Sequence, residues 1–128
     1  MDEEARGAYW TVEEANAALP RVRAVVERIR ALAARARGGR ERAGAKARGN
    51  GHAPAVPAGA ELAAAVEELT REHIVLRDLD SGLLDFPAVS PSGRPYWLCW
   101  LPDEAEVGWW HWPEDGFAGR APLDDPPR

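Results

Sequence analysis

A single change of period divides this chain and limits what it can fold into. The apolar residues Leu19, Val22, Val25, Val26, Ile29, Leu32 and Ala33 recur at steps of three and four, which at about 100° per residue makes one broad stripe along a helix. Thr11 and Glu14 stand ahead of it at capping-box spacing, each able to satisfy a backbone N–H of the first turn. Pro20 falls early in the run, so it either opens the long helix from its first turn or kinks it. Helical spacing returns at Leu62, Val66, Leu69 and His73. Beyond Ile74 the pattern becomes strand-like, and Ile74–Leu79, Leu83–Pro87, Arg94–Leu101 and Glu106–Trp112 read as strands joined by turns at Ser81-Gly82, Ser90–Gly93 and Pro102–Ala105.

Two helices joined by a loop bury their stripes most simply as an antiparallel pair. The expected class is therefore α+β, an antiparallel helix hairpin packed on one face of a small antiparallel β-meander. A chain of 128 residues supports one core, so residues 1–128 read as a single domain. Residues 8–37 form the first helical region and 60–73 the second helix. Between them, residues 38–59 hold mostly Gly, Ala, Arg and Pro, too little apolar surface to offset ordering, and read as a flexible insertion. Residues 74–123 carry the meander and a C-terminal loop, and 124–128 a frayed tail.

The start Met1-Asp2-Glu3-Glu4 is acidic where an export signal is basic and then apolar, and no apolar run approaches membrane-spanning length. Cys99 is the only cysteine, which fits a reducing compartment, so a cytoplasmic location without membrane contact is expected. The net charge of −5 is unevenly spread, with a basic first half and an acidic second half. A nucleic-acid patch is one reading of the basic helix. On the helix, however, Arg21, Arg28 and Arg35 flank one side of the stripe and Arg23, Arg30 and Arg37 the other. That arrangement suits ion pairs with Glu61, Glu67, Glu68 and Glu72 of the second helix better than a single phosphate-facing surface.

Five of the six tryptophans lie between Trp97 and Trp112. A four-residue loop at 102–105 sets Trp97 opposite Trp110 and Cys99 opposite Gly108, and leaves both faces of the ribbon aromatic. The helix hairpin covers one face. The other is closed by terminal segments, by a second subunit in a homo-oligomer, or by a ligand, unless the tryptophans simply fill the core.

A two-residue turn at Ser81-Gly82 would place Asp78 directly opposite Asp85, a pair of carboxylates that calls for a cation, a shared proton or an arginine. His111, with Glu104 and Glu106 before it, is a candidate ligand or proton carrier. Cys99 reads as a buried apolar filler with no basic neighbour in sequence.

Tyr9-Trp10-Thr11-Val12-Glu13-Glu14-Ala15-Asn16, the stretch from Asp78 to Pro87, Leu98-Cys99-Trp100, Trp110-His111 and Gly116-Phe117-Ala118-Gly119-Arg120 together resemble the bacterial domain-of-unknown-function family 2203. Asp103 stands where that family's pattern has a glycine before the glutamate matched by Glu104. The resemblance implies no activity. It does imply that Asp78, Asp85, Glu104, His111 and Arg120 occupy polar positions of the family pattern, and polar groups within an aromatic sheet are costly to bury without partners. The resulting expectation is a small-ligand or metal-binding site formed by Asp78, Asp85, Glu104, His111 and Arg120 beside Trp100 or Trp110. Asp78, Asp85 and His111 are the candidate ligands of a divalent metal, and Arg120 an anion clamp. No reaction type follows. The alternative is a module that contacts a protein or nucleic acid through the arginine-rich helix and insertion.

Overall fold

The computed structural model describes residues 8–45 and 58–128. Helix α1 spans Val12–Ala45 and helix α2 spans Ala58–Thr70. Strands β1 (Val75–Asp78), β2 (Leu83–Val89), β3 (Pro95–Trp100), β4 (Trp109–His111) and β5 (Ala121–Pro122) follow, with one 3-10 turn at Phe117–Gly119 before the last.

α1 begins at the capping box. Thr11 N–H donates to Glu14 Oε1 at 2.9 Å and Glu14 N–H to Thr11 Oγ1 at 3.1 Å, which satisfies two of the first-turn donors. Pro20 lies inside the helix on its exposed side, where the loss of one ladder bond falls next to solvent. α1 continues past Gly38 to Ala45, farther than the composition suggests. Once a helix is nucleated, each added residue costs little, and Arg, Glu and Ala are good helix formers. The remainder of the expected insertion, residues 46–57, lies outside the described residues, and α2 is already under way at Ala58.

α2 ends in a Schellman turn. His73 N–H donates to Thr70 O at 2.9 Å and Ile74 N–H to Leu69 O at 3.1 Å, with His73 at φ 65°. His73 is thus the exposed stop of the helix rather than a member of its stripe, and the buried Ile74 takes up the apolar position beyond it.

The helices run antiparallel, with Arg21 paired to Glu72 at 2.9 Å and Arg28 paired to Glu68. Arginines of the other flank reach the sheet's loops instead. Arg23 donates to the carbonyls of Pro102 and Glu104, Arg30 to the carbonyl of Asp80, and Arg37 to the Asp80 carboxylate. Both flanks of α1 therefore hold internal partners.

The sheet is a sequential antiparallel meander in the order β1-β2-β3-β4-β5. Opposed residues share a face, so Leu84, Phe86, Ala88, Tyr96, Leu98, Trp100 and Trp110 form an inner face. These side chains join Leu19, Val22, Val26, Ile29 and Leu69 of the helices in one core.

The register differs from the expected one at both hairpins. β3 and β4 pair as Trp97↔His111, Leu98↔Trp110 and Cys99↔Trp109, one residue from the alignment a four-residue loop would give. A slip of one exchanges the faces. Tertiary contacts set it: Val107 N–H donates to Asn16 Oδ1 at 2.7 Å, and Leu123 N–H to Gly108 O at 2.9 Å, so these residues are bound outside the ladder. At β1 and β2, Val75 faces Asp85 and a bulge separates Leu76 from Asp78. Asp78 therefore does not oppose Asp85.

The final residues are tied in rather than frayed. Trp110 Nε1–H donates to Asp125 O at 2.8 Å, Ser92 Oγ–H to Arg128 O at 2.8 Å, and Pro127 is buried. Among the described residues no helix is long and apolar enough to cross a membrane.

Candidate functional site

Among the described residues no helix lies over the outer face of the sheet, yet that face contains their most deeply buried polar side chains. Asp85 is 2% exposed and His111 4%, and Cys99 beside them is fully buried. Alternation along the strands puts them there. Asp85 on β2, Cys99 on β3 and Trp109 on β4 form one cross-strand row, and Pro87, Trp97 and His111 form the next.

Arginines lying on aromatic rings provide the cover. Arg77 Cζ sits 4.7 Å above the Trp97 ring. Arg120 Cζ sits 4.5 Å from the Trp109 ring and 4.6 Å from that of Phe117. Both contacts combine cation–π attraction with shielding of what lies beneath.

Asp85 Oδ2 accepts from Arg77 Nε–H at 2.8 Å and faces His111 Nε2 at 2.9 Å. Its other oxygen, Oδ1, is buried with no hydrogen-bond partner. His111 Nδ1 lies 2.8 Å from the carbonyl of Trp112, and a carbonyl only accepts, so Nδ1 carries a proton. Nε2 therefore either shares a proton with Asp85 or directs its lone pair at a cation. A ring fixed by Nδ1–H on a backbone carbonyl is the usual setting of a metal-ligating histidine. One ligand atom from each of Asp85, Cys99 and His111 lies within 4.8 Å of the others.

The Cys99 thiol is pushed up to about 12 by burial and then by the negative charge of Asp85, against the opposing pull of Arg120. Arg120 Nη1 lies 3.9 Å from Cys99 Sγ, while Nη2 donates to Glu104 Oε2 at 2.7 Å. Glu104 binds the loop as well: Oε1 accepts from Leu101 N–H at 2.8 Å and its carbonyl from Trp100 Nε1–H at 3.0 Å.

Of the residues singled out in the sequence, Asp85 and His111 meet, and Glu104 with Arg120 closes one side of the same cluster. Asp78 stands apart and fully exposed, with its carboxylate accepting from Ser81 N–H at 3.0 Å. Those contacts from Ser81 hold the Asp78 carboxyl below its ordinary range. Trp100 and Trp110 belong to the inner face, in the core. The residue missing from the expected ligand set is Cys99, which takes the place given to Asp78. Pairing Leu98-Cys99-Trp100 directly against Leu84-Asp85-Phe86 would have exposed it, since that register puts the thiol opposite the carboxylate.

The family model for an uncharacterized conserved protein, DUF2203, matches residues 8–123, and the chain belongs to that family. No curated protein and no solved structure matches the chain.

Proposed function

With membership of the DUF2203 family as premise, we propose that this is a metal-binding domain whose centre is Asp85, Cys99 and His111. The observation that carries the reading is the buried, unpartnered Asp85 Oδ1 beside Cys99 and a histidine anchored through Nδ1. An orphaned buried carboxylate oxygen is costly, and a cation among these three donors would remove the cost. One sulfur, one nitrogen and one oxygen donor suit a borderline divalent ion such as zinc rather than magnesium or calcium. Three protein ligands leave a fourth position for a water. A cytoplasmic setting fits a free thiol in this role.

The test is titration of chelator-treated protein with Zn²⁺ and Co²⁺, read by elemental analysis and absorbance. The expected result is one ion per chain, a sulfur-to-cobalt charge-transfer band, and release of the Cys99 thiol proton. Cys99→Ser should abolish the band, and Asp85→Asn and His111→Ala should weaken binding by at least roughly tenfold. Metal uptake that is unchanged in all three variants, or no uptake at micromolar concentrations, would overturn the reading.

A further inference from the structure

Asp85, Cys99 and His111 stand on three neighbouring strands and project from the same face of one sheet. Three ligands rising from one face form a tripod, so the fourth corner of a tetrahedral centre points away from the sheet. Two guanidiniums lie on that side. Arg77 Nε–H donates to Asp85 Oδ2 at 2.8 Å, and Arg120 Nη1 lies 3.9 Å from Cys99 Sγ. Each reaches a side chain of the tripod directly, and each is seated on aromatic rings, Arg77 on Trp97 and Arg120 on Trp109 and Phe117. The orphaned Asp85 Oδ1 is free for a cation while Oδ2 keeps its bond to Arg77.

Charge decides what belongs at the outer corner. A divalent ion held by one thiolate, one carboxylate and a neutral imidazole carries no net charge. Arg120 is offset by Glu104, whose Oε2 accepts from its Nη2 at 2.7 Å. Arg77 is left as one uncompensated positive charge, and its two Nη groups have no hydrogen-bond partner among the described residues. They share a rigid plane with Nε, so they stand within about 5 Å of the Asp85 oxygen. A zinc ion lies about 2 Å from its oxygen ligands, which brings its outer corner within hydrogen-bonding reach of this fork. A water there leaves the charge unanswered, whereas a monoanion answers it. The fork fits two oxygens of one group better than a spherical halide. Arg77 is 41% exposed and Arg120 16%, so entry is beside Arg77, and the ring-seated guanidiniums leave room for a small ligand only.

We propose, on the metal reading above, that the fourth position takes a small monocarboxylate in place of water, one oxygen on the metal and the other accepting from the Nη groups of Arg77.

The experiment uses the full chain loaded to one Co²⁺ per chain, with the sulfur-to-cobalt band as the sign that the site is filled. Acetate, neutral acetamide and chloride are titrated in turn at constant ionic strength while the cobalt d–d absorbance is followed. Acetate should shift these bands saturably, with a midpoint in the millimolar range, and acetamide and chloride should act at least roughly tenfold more weakly. Arg77→Gln, loaded to the same cobalt content, should weaken acetate roughly tenfold, and Arg77→Lys, which keeps the charge and loses the fork, by less. Equal response to acetate and acetamide in the unaltered protein overturns the proposal whether or not the variants fold. A filled cobalt site that does not respond to acetate up to about 100 mM also overturns it and leaves the metal reading standing. Failure of cobalt to bind overturns the metal reading, and the carboxylate assignment with it.

Discussion

Asp85 and His111 meet at 2.9 Å although their strands do not touch, because β3 runs between β2 and β4. The contact runs diagonally across β3, from the row of Cys99 to the row of Trp97. Arg77 reaches the same carboxylate oxygen from β1, so three strands depend on one buried acid. Removing one partner of a buried pair leaves the other without compensation. Asp85→Asn and His111→Ala are each expected to lower unfolding stability by roughly 3 kcal/mol, with the double variant clearly less than additive in urea titrations. Additive losses would show that the two side chains act independently.

Gly82 is required twice over. Its φ is 78°, and a Cβ there would lie 2.8 Å from both Pro102 Cγ and Val26 Cγ1. Gly82→Ala therefore combines left-handed strain with overpacking between the β1–β2 turn and α1, for an expected loss of roughly 2–4 kcal/mol. A thermal midpoint within a degree of the unaltered protein would contradict this account.

His73 presents the reverse case. It occupies the left-handed position that ends α2, where glycine is the usual residue, and it is exposed. His73→Gly should stabilise the fold by about 1 kcal/mol, seen as a higher denaturation midpoint at unchanged slope.

In the metal-free protein Cys99 sets an alkaline limit. Its thiol is raised from 9.0 to about 12 in the folded chain, so the folded state holds the proton more tightly than the unfolded one. The stabilisation is complete below pH 9 and is lost as pH rises from there toward 12. Stability measured across that window should fall less steeply in Cys99→Ala. In the metal-free native protein iodoacetamide should modify Cys99 far more slowly than in denaturant, since a buried neutral thiol is a poor nucleophile. Equal rates would show that the cluster is open.

Much of the architecture was legible in the sequence because it rests on local chemistry. The Thr11–Glu14 box, the α1 stripe, the turn glycines and the change of period at Ile74 each act over a few residues, and together they specify two helices followed by an antiparallel meander. The arginines of α1 were also readable as flanking groups, because their spacing around the helix decides which side they take.

The composition of the site was not readable, since it depends on register. A ladder offset of one residue exchanges the faces, and that offset is set by Asn16 holding Val107 from the far side of the chain. A bulge likewise moves Asp78 away from Asp85. With Cys99 drawn opposite a glycine on β4, and its pairing with Asp85 on β2 not drawn, it read as filler. Tertiary structure alone put its sulfur beside a carboxylate and an imidazole, because hydrogen bonds between distant segments are worth more than the loop-length preferences that local sequence can express.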